Sequence, residues 1–115
     1  MITHNIAINT ETRENMRGGE GKVELGHWFV SEDFGGKVRL CARLTLPPGA
    51  SIGNHAHEGE DEIYVVMSGS GKILEDGEWV TISPGDAILT GKGGSHSVKN
   101  DGTKPLVIAA VIIQY

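Results

Sequence analysis

Short apolar runs that end at turn residues are the feature of this sequence that most restricts its fold. From Val23 onward, runs of β-branched, aromatic and aliphatic residues are each closed by Gly, Pro, Asn or Asp, which is typical of β-strands joined by tight turns. The runs are 23–30, 38–46, 63–67, 71–74, 78–82, 86–90, 95–99 and 106–113. No window of about 12 residues shows an apolar stripe at the helical period. The sequence therefore predicts an all-β fold, a sandwich or a barrel.

Turn-forming residues are unusually frequent. Glycine accounts for 17 of the 115 residues, well above its average usage of roughly 7%. Asp76-Gly77 separates two of the runs and predicts a hairpin, because both central positions of a type I′ turn have positive φ.

The chain is long enough for one domain and too short for two ordinary ones. Residues 1–21 are polar and show no sustained apolar period. We therefore predict a loosely ordered N-terminal arm over 1–21 and a β domain over 22–115.

Charge and cysteine content argue against several classes of partner. Fifteen acidic against ten basic residues give a net charge of −5, which disfavours contact with nucleic acid or an anionic membrane. The longest apolar run, 106–113, is far shorter than the ~18 residues of a membrane-spanning helix. Cys41 is the only cysteine, and the first residues lack the pattern of a secretory signal. We predict a cytoplasmic protein with neither nucleic acid nor a membrane as partner.

The order of apolar and polar residues within two of the runs indicates what covers each face of the strand. In 38–46 the even positions are apolar and face the core, whereas Arg39 and Arg43 lie on the other face. These arginines either hold a substrate carboxylate or phosphate, or form salt bridges at the surface or in a dimer. The run 106–113 is apolar on both faces, which predicts cover from outside its own core, such as a second subunit.

Four residues form a candidate metal site. His55 and His57 are two positions apart, so on an extended strand their imidazoles point to the same side. Glu62 begins an apolar strand that a hairpin can return beside them, and His96 starts another strand after a glycine-rich loop. Three imidazoles and one carboxylate suit Mn, Fe, Co, Ni, Cu or Zn rather than the all-oxygen shells of Ca or Mg.

The spacing around these residues resembles the first motif of the cupin family. That motif is Gly, five residues, His-x-His, three or four residues, Glu, six residues and Gly. Here it is matched throughout by Gly49, His55, His57, Glu62 and Gly69. A match over this many fixed positions is a specific signal.

The second cupin motif is also present, with one departure. Gly85, Gly93, His96 and Asn100 match it, while Gly91 stands where the family usually has proline. Because glycine lacks the φ restriction of proline, we expect a looser loop in front of His96.

The resemblance to a small single-domain cupin implies a double-stranded β-helix, or jelly-roll barrel, over 22–115. It further implies one divalent metal ion held by His55, His57, Glu62 and His96, and a homodimer. Cupin activities include dioxygenases, decarboxylases, isomerases and lyases. We therefore expect a metal-dependent enzyme acting on a small carboxylate- or sugar-like substrate, or alternatively a non-catalytic module that binds or senses a small acid or sugar.

The remaining polar residues of this region are assigned by parity. Tyr64 shares the face of Glu62, so it either lines the cavity as a hydrogen-bond donor and candidate catalytic residue or is an aromatic core residue. Glu58, Glu60 and Asp61 are interpreted as a solvated turn. Two further histidines, His4 and His27, match no motif and are expected at the surface.

Overall fold

The computed structural model describes all 115 residues and consists mostly of β-strands. The strands are β1 (Asn9–Glu14), β2 (Lys22–Phe29), β3 (Val38–Leu46), β4 (Ser51–Ala56), β5 (Glu60–Ser68), β6 (Gly71–Glu75), β7 (Glu78–Ile82), β8 (Ala87–Thr90), β9 (Ser95–Lys99) and β10 (Leu106–Gln114). Every predicted run coincides with a strand, which confirms the all-β prediction. Helical structure is limited to short 3₁₀ turns at Asn5–Ala7, Met16–Gly18 and Ser31–Asp33. None of its helices has the length and apolar character needed to cross a membrane.

The strands form two antiparallel sheets. The larger has six strands in the order β1-β2-β3-β10-β5-β8, and the smaller has four in the order β4-β9-β6-β7. From β3 to β10 the chain passes repeatedly from one sheet to the other, which winds it into the jelly-roll barrel that the resemblance implied.

Side-chain alternation places the core between the sheets. On β3, Leu44 and Leu46 are buried, as the alternation predicted. The neighbouring strand β10 contributes Leu106 and Ile108 to the same interior. Most of the alternate residues of β10 are only half-buried, because they lie on the outer face of the six-stranded sheet.

The segment predicted as a loosely ordered arm contains a strand. β1 pairs with β2 along its whole length, from Asn9 opposite His27 to Glu14 opposite Lys22. All of its side chains are exposed, so backbone hydrogen bonds rather than apolar burial hold this edge strand in place. That is why no apolar period announces it in the sequence.

The chain after β1 crosses to the other sheet and rests on β4. The turn Met16–Gly18 packs against this strand, and the backbone N–H of Ser51 donates to the carbonyl of Glu20 at 2.9 Å. A Cβ at Gly19 would collide with the backbone of Ser51, and one at Gly53 would collide with the carbonyl of Arg17. Two glycines therefore allow the N-terminal segment to lie directly against the strand that carries His55.

Candidate metal centre

Both sheets contribute to a cluster of the predicted ligands at one end of the barrel. His55 lies on β4 and is paired in register with His96 on β9. Glu62 lies on β5 in the opposite sheet, and His57 follows the end of β4. His57, Glu62 and His96 are buried, and His55 is half-buried. The structure thus brings together the four residues that the sequence selected.

Their donor atoms are in direct proximity. The Nε2 atom of His96 lies 3.0 Å from Nε2 of His57 and 3.1 Å from Nε2 of His55. Oε1 of Glu62 lies 3.0 Å from Nε2 of both His57 and His96. All four donor atoms lie within 4.8 Å of one another. Two ligand atoms that are each about 2.1 Å from one ion are about 3.0 Å apart when they subtend a right angle.

Hydrogen bonds on the far side of two imidazoles fix their tautomers. Nδ1 of His57 donates to the carboxylate of Glu60 at 2.8 Å, and Nδ1 of His55 donates to the carbonyl of Gly53 at 2.7 Å. With the proton on Nδ1, each Nε2 presents a lone pair to the cluster. Burial lowers the pKa of His55, which favours the neutral ring that coordination requires.

The cluster therefore contains more hydrogen-bond acceptors than donors. Oε1 of Glu62 is buried and has no hydrogen-bond donor, and Nδ1 of His96 is also without a partner. The facing atoms Nε2 of His55, Nε2 of His57 and Oε1 of Glu62 all carry lone pairs. The ring of His96 can supply at most one N–H to them. A buried carboxylate oxygen without a donor is costly, and a cation at this position would satisfy it. The donor set fits a divalent transition metal ion.

Glu60 is not the solvated residue that the sequence analysis expected. Its carboxylate is nearly buried and accepts from His57 and from two nitrogens of Arg39, at 3.0 and 2.9 Å. The hydrogen bond from Arg39, with a smaller contribution from His57, lowers the pKa of Glu60 to about 2. β5 begins at Glu60, so this residue shares the inward parity of Glu62. That parity was the signal available in the sequence.

The two arginines of β3 have different locations. Arg39 has no Cα partner on β10, because the register shifts where Ile112 is followed by Ile113. Its side chain hydrogen-bonds to Glu60 and lines the cavity over the candidate metal site. Arg43 instead donates to the side chain of Asn5 at 2.8 Å and does not line that cavity.

Tyr64 lies directly beside the cluster. It is buried, and its ring is stacked on that of His96 with centroids 4.9 Å apart. Burial, aided by the negative charge of Glu62, raises the pKa of Tyr64 well above its usual value. At neutral pH its hydroxyl is therefore protonated and acts as a hydrogen-bond donor rather than a base.

The cavity that opens onto the cluster has a volume of about 140 Å³. Its apolar walls come from Met16, Leu25, Leu40, Leu44 and Ile112. Its polar lining includes Arg13 and Arg17 from the N-terminal segment, which sequence reasoning did not connect with the site. His27 is half-buried in the lining rather than at the open surface, and it bonds to Glu11 at 2.8 Å.

The loop in front of His96 contacts Asp61 and Tyr115. A Cβ at Gly91 would collide with the side chain of Asp61. That carboxylate accepts from the hydroxyl of Tyr115 at 2.9 Å, and the same hydroxyl accepts from the backbone N–H of Lys92 at 3.3 Å. Gly91 thus serves close packing, and the proline of the usual motif would require the side chain of Asp61 to move.

Residues 42–112 match the family model for the cupin domain. The chain belongs to the cupin family. This cupin is 45% identical over 113 residues to an oxalate-binding protein of Thermotoga maritima, a match that covers 98% of this chain and 93% of the relative.

Two solved structures show the same architecture. A predicted oxalate decarboxylase from Thermotoga maritima is 44% identical and superposes on this cupin with a TM-score of 0.96, each chain being covered completely. A polyketide cyclase from Streptomyces resistomycificus is 20% identical, has a TM-score of 0.77 and covers 99% of this chain and 78% of its own. The second similarity concerns the fold alone.

Proposed function

We propose that this cupin binds one divalent transition metal ion through His55, His57, Glu62 and His96 and uses it to bind a small carboxylate of the oxalate type. The observation that carries the proposal is the buried oxygen of Glu62, which has no hydrogen-bond donor and lies 3.0 Å from two imidazole nitrogens. The name of the oxalate-binding relative supports the class of ligand.

The size and lining of the cavity support a ligand of few atoms. Its volume of about 140 Å³ is well below the roughly 300–1,000 Å³ of cavities that take drug-sized ligands. When bound, the ion supplies a Lewis acid that attracts carboxylate oxygens. Arg39 lines the cavity with its charge paired to Glu60, and the protonated hydroxyl of Tyr64 is a candidate donor to the bound ligand.

Binding without turnover is the function that the geometry supports best. Among the residues that line the cavity, Glu62 is the only carboxylate, and it belongs to the proposed ligand set. Glu60 is engaged by Arg39 and His57, so it is not free to exchange protons with a ligand. The second candidate is a metal-dependent enzyme, such as a decarboxylase, and the name of the similar Thermotoga structure favours it.

The test compares the wild type with a His55→Ala/His57→Ala double variant. We expect the purified wild type to contain about one metal ion per chain by elemental analysis and to bind oxalate in calorimetry only when loaded. The double variant should lose metal and oxalate binding yet keep a β-rich circular dichroism spectrum. Metal content that is unchanged in a folded double variant would overturn the assignment. Release of carbon dioxide or formate from oxalate would select the enzyme over the binding module.

We further propose that the chain works as a homodimer in the cytoplasm. The outer face of β10 is apolar and half-buried, and its neighbour β5 presents Val65 and Met67 to solvent. Such a face is suited to contact with a second copy. The single cysteine forms no disulfide, which is consistent with a reducing compartment.

A further inference from the structure

Three arginines line the cavity over the candidate metal site, and they differ in whether a carboxylate pairs with their positive charge. Arg13 pairs with a carboxylate oxygen of Glu11 at 2.9 Å, and Arg39 is bound by both oxygens of Glu60. Arg17 has no carboxylate within 4.0 Å and makes no side-chain hydrogen bond. It is therefore the arginine of this cavity whose positive charge is available to a ligand.

The backbone holds Arg17 in a defined and unusual conformation. Its φ of 54° and ψ of 30° lie in the left-handed region, and Asn15, before Met16, has a φ of 48°. Asparagine tolerates such angles, whereas arginine rarely adopts them, and such a conformation persists where the surrounding structure fixes it. Here the side chain of Asn15 donates to the carbonyl of Gly19 at 3.0 Å, and its backbone N–H donates to Gly21 at 2.9 Å.

The same strand supports Arg17 and one of the proposed ligands. The carbonyl of Arg17 lies so close to Gly53 that no Cβ fits between them, and the carbonyl of Gly53 accepts from Nδ1 of His55. Arg17 and the imidazole of His55 are thus anchored to one residue of β4. The positive charge of Arg17 also acts on Tyr64, where it opposes the larger effect of burial on the pKa of the hydroxyl.

We propose that Arg17 binds the anionic group of the ligand that does not face the metal, and that it makes the site selective for small dianions. This inference rests on the proposed function. A divalent ion beside Glu62 leaves one uncompensated positive charge, and Arg17 supplies a second. A dianion neutralises both charges, whereas a monoanion leaves one unpaired. The planar guanidinium suits a carboxylate because it can donate two parallel hydrogen bonds.

The experiment measures binding of two probe anions to the full-length protein loaded with Mn(II). Calorimetry with oxalate and with formate is performed on the wild type, Arg17→Gln, Arg17→Lys and Arg43→Gln. Glutamine at position 17 needs the same left-handed backbone as arginine, and it removes the positive charge and the forked N–H donors of the guanidinium. Arg43→Gln is the matched control, because Arg43 contacts Asn5 away from the cavity. Bound manganese and thermal unfolding are recorded for every variant.

We expect Arg17→Gln to lower oxalate affinity at least about tenfold, because it removes hydrogen bonds between charged groups. Formate affinity should change by less than about threefold, and lysine at position 17 should restore part of the oxalate affinity. Arg43→Gln should match the wild type. Metal content should be the same in all four proteins.

Several results would overturn the inference. A folded, metal-loaded Arg17→Gln variant could bind oxalate within about threefold of the wild-type affinity. That result would overturn the role of Arg17 and leave the proposed function standing. An equal loss for oxalate and formate would leave Arg17 as an anion contact without selectivity for dianions, which contradicts the proposal. A wild type that holds manganese and binds neither anion would overturn the proposed function, and the inference with it.

Discussion

The tautomers of two imidazoles decide whether the residues of the cluster can hold a cation. Glu60 takes the Nδ1 proton of His57, and the carbonyl of Gly53 takes that of His55. Partners of this kind orient a ligating ring and raise its basicity. Arg39 in turn holds Glu60 with two hydrogen bonds, so a chain of contacts leads from β3 to the candidate metal site.

Glu60→Gln tests this chain of contacts. We expect metal affinity to fall by about 10- to 100-fold, because the amide is a weaker acceptor and no longer fixes the orientation of His57. Competition with a chromophoric chelator measures the change. Glu58→Gln is the matched control, since Glu58 is exposed two residues earlier, and it should bind metal as the wild type does. Equal affinity in both variants would show that Glu60 does not support the metal site.

Spacing in the sequence was sufficient to select the four clustered residues, because parity on strands and a fixed motif restrict which side chains can meet. Glu60 was missed because the strand begins three residues earlier than its apolar run suggests. Arg17 was missed for a different reason. Its position depends on contacts between the N-terminal segment and β4, and no local pattern encodes contacts between segments so distant in the sequence.

Among the elements, the contact between the Met16–Gly18 turn and β4 depends on glycine. Gly19 is buried, and a Cβ there would collide with the carbonyl of Ser51. Gly19→Ala should therefore destabilise the protein by on the order of 1–3 kcal/mol, as overpacking does. Thermal unfolding should shift downward by roughly 4 °C for each kcal/mol.

The control for this substitution is Gly36→Ala. Gly36 is exposed, has no positive φ and has open space where a Cβ would lie. Its replacement should change stability by less than about 0.5 kcal/mol. Equal melting temperatures for the two variants would mean that the turn does not pack on β4 in solution.

Strand prediction succeeded wherever burial on one face leaves an apolar alternation, as in β3. It failed for β1, whose side chains are all exposed and which is held by pairing with β2. It also passed over β4 as an apolar run, because Gly53, Asn54 and His55 interrupt it. These are the elements that form or cover the site, where polar residues replace the apolar ones that announce a strand.

For the whole molecule, the outer face of the six-stranded sheet predicts association. Met67 is 50% exposed there, and lysine at this position would have to lose its hydration in a dimer interface. We expect light scattering to give a dimer mass for the wild type and a dissociation constant at least about tenfold higher for Met67→Lys. Val80→Lys is the control, because Val80 is 48% exposed on the smaller sheet. A monomeric wild type at tens of micromolar would contradict the prediction.

Metal removal should affect stability as well as binding. Anything that binds only the folded chain stabilises it by about 2.7 kcal/mol at a hundred times its dissociation constant. Unfolding followed by circular dichroism, with and without a strong chelator, should show a lower melting temperature for the metal-free protein. The His55→Ala/His57→Ala variant should not respond to the chelator, and an equal response in both proteins would exclude this explanation.

Glu62 reaches the cluster from the six-stranded sheet, whereas His55 and His96 reach it from the four-stranded one. An ion at this position would clasp the two halves of the sandwich at their open end. The lifetime of the folded chain would then depend on the free concentration of that ion in the cell. Under metal starvation, proteolysis would remove the protein faster. Its abundance would then depend on the metal supply, whether or not the small ligand is present.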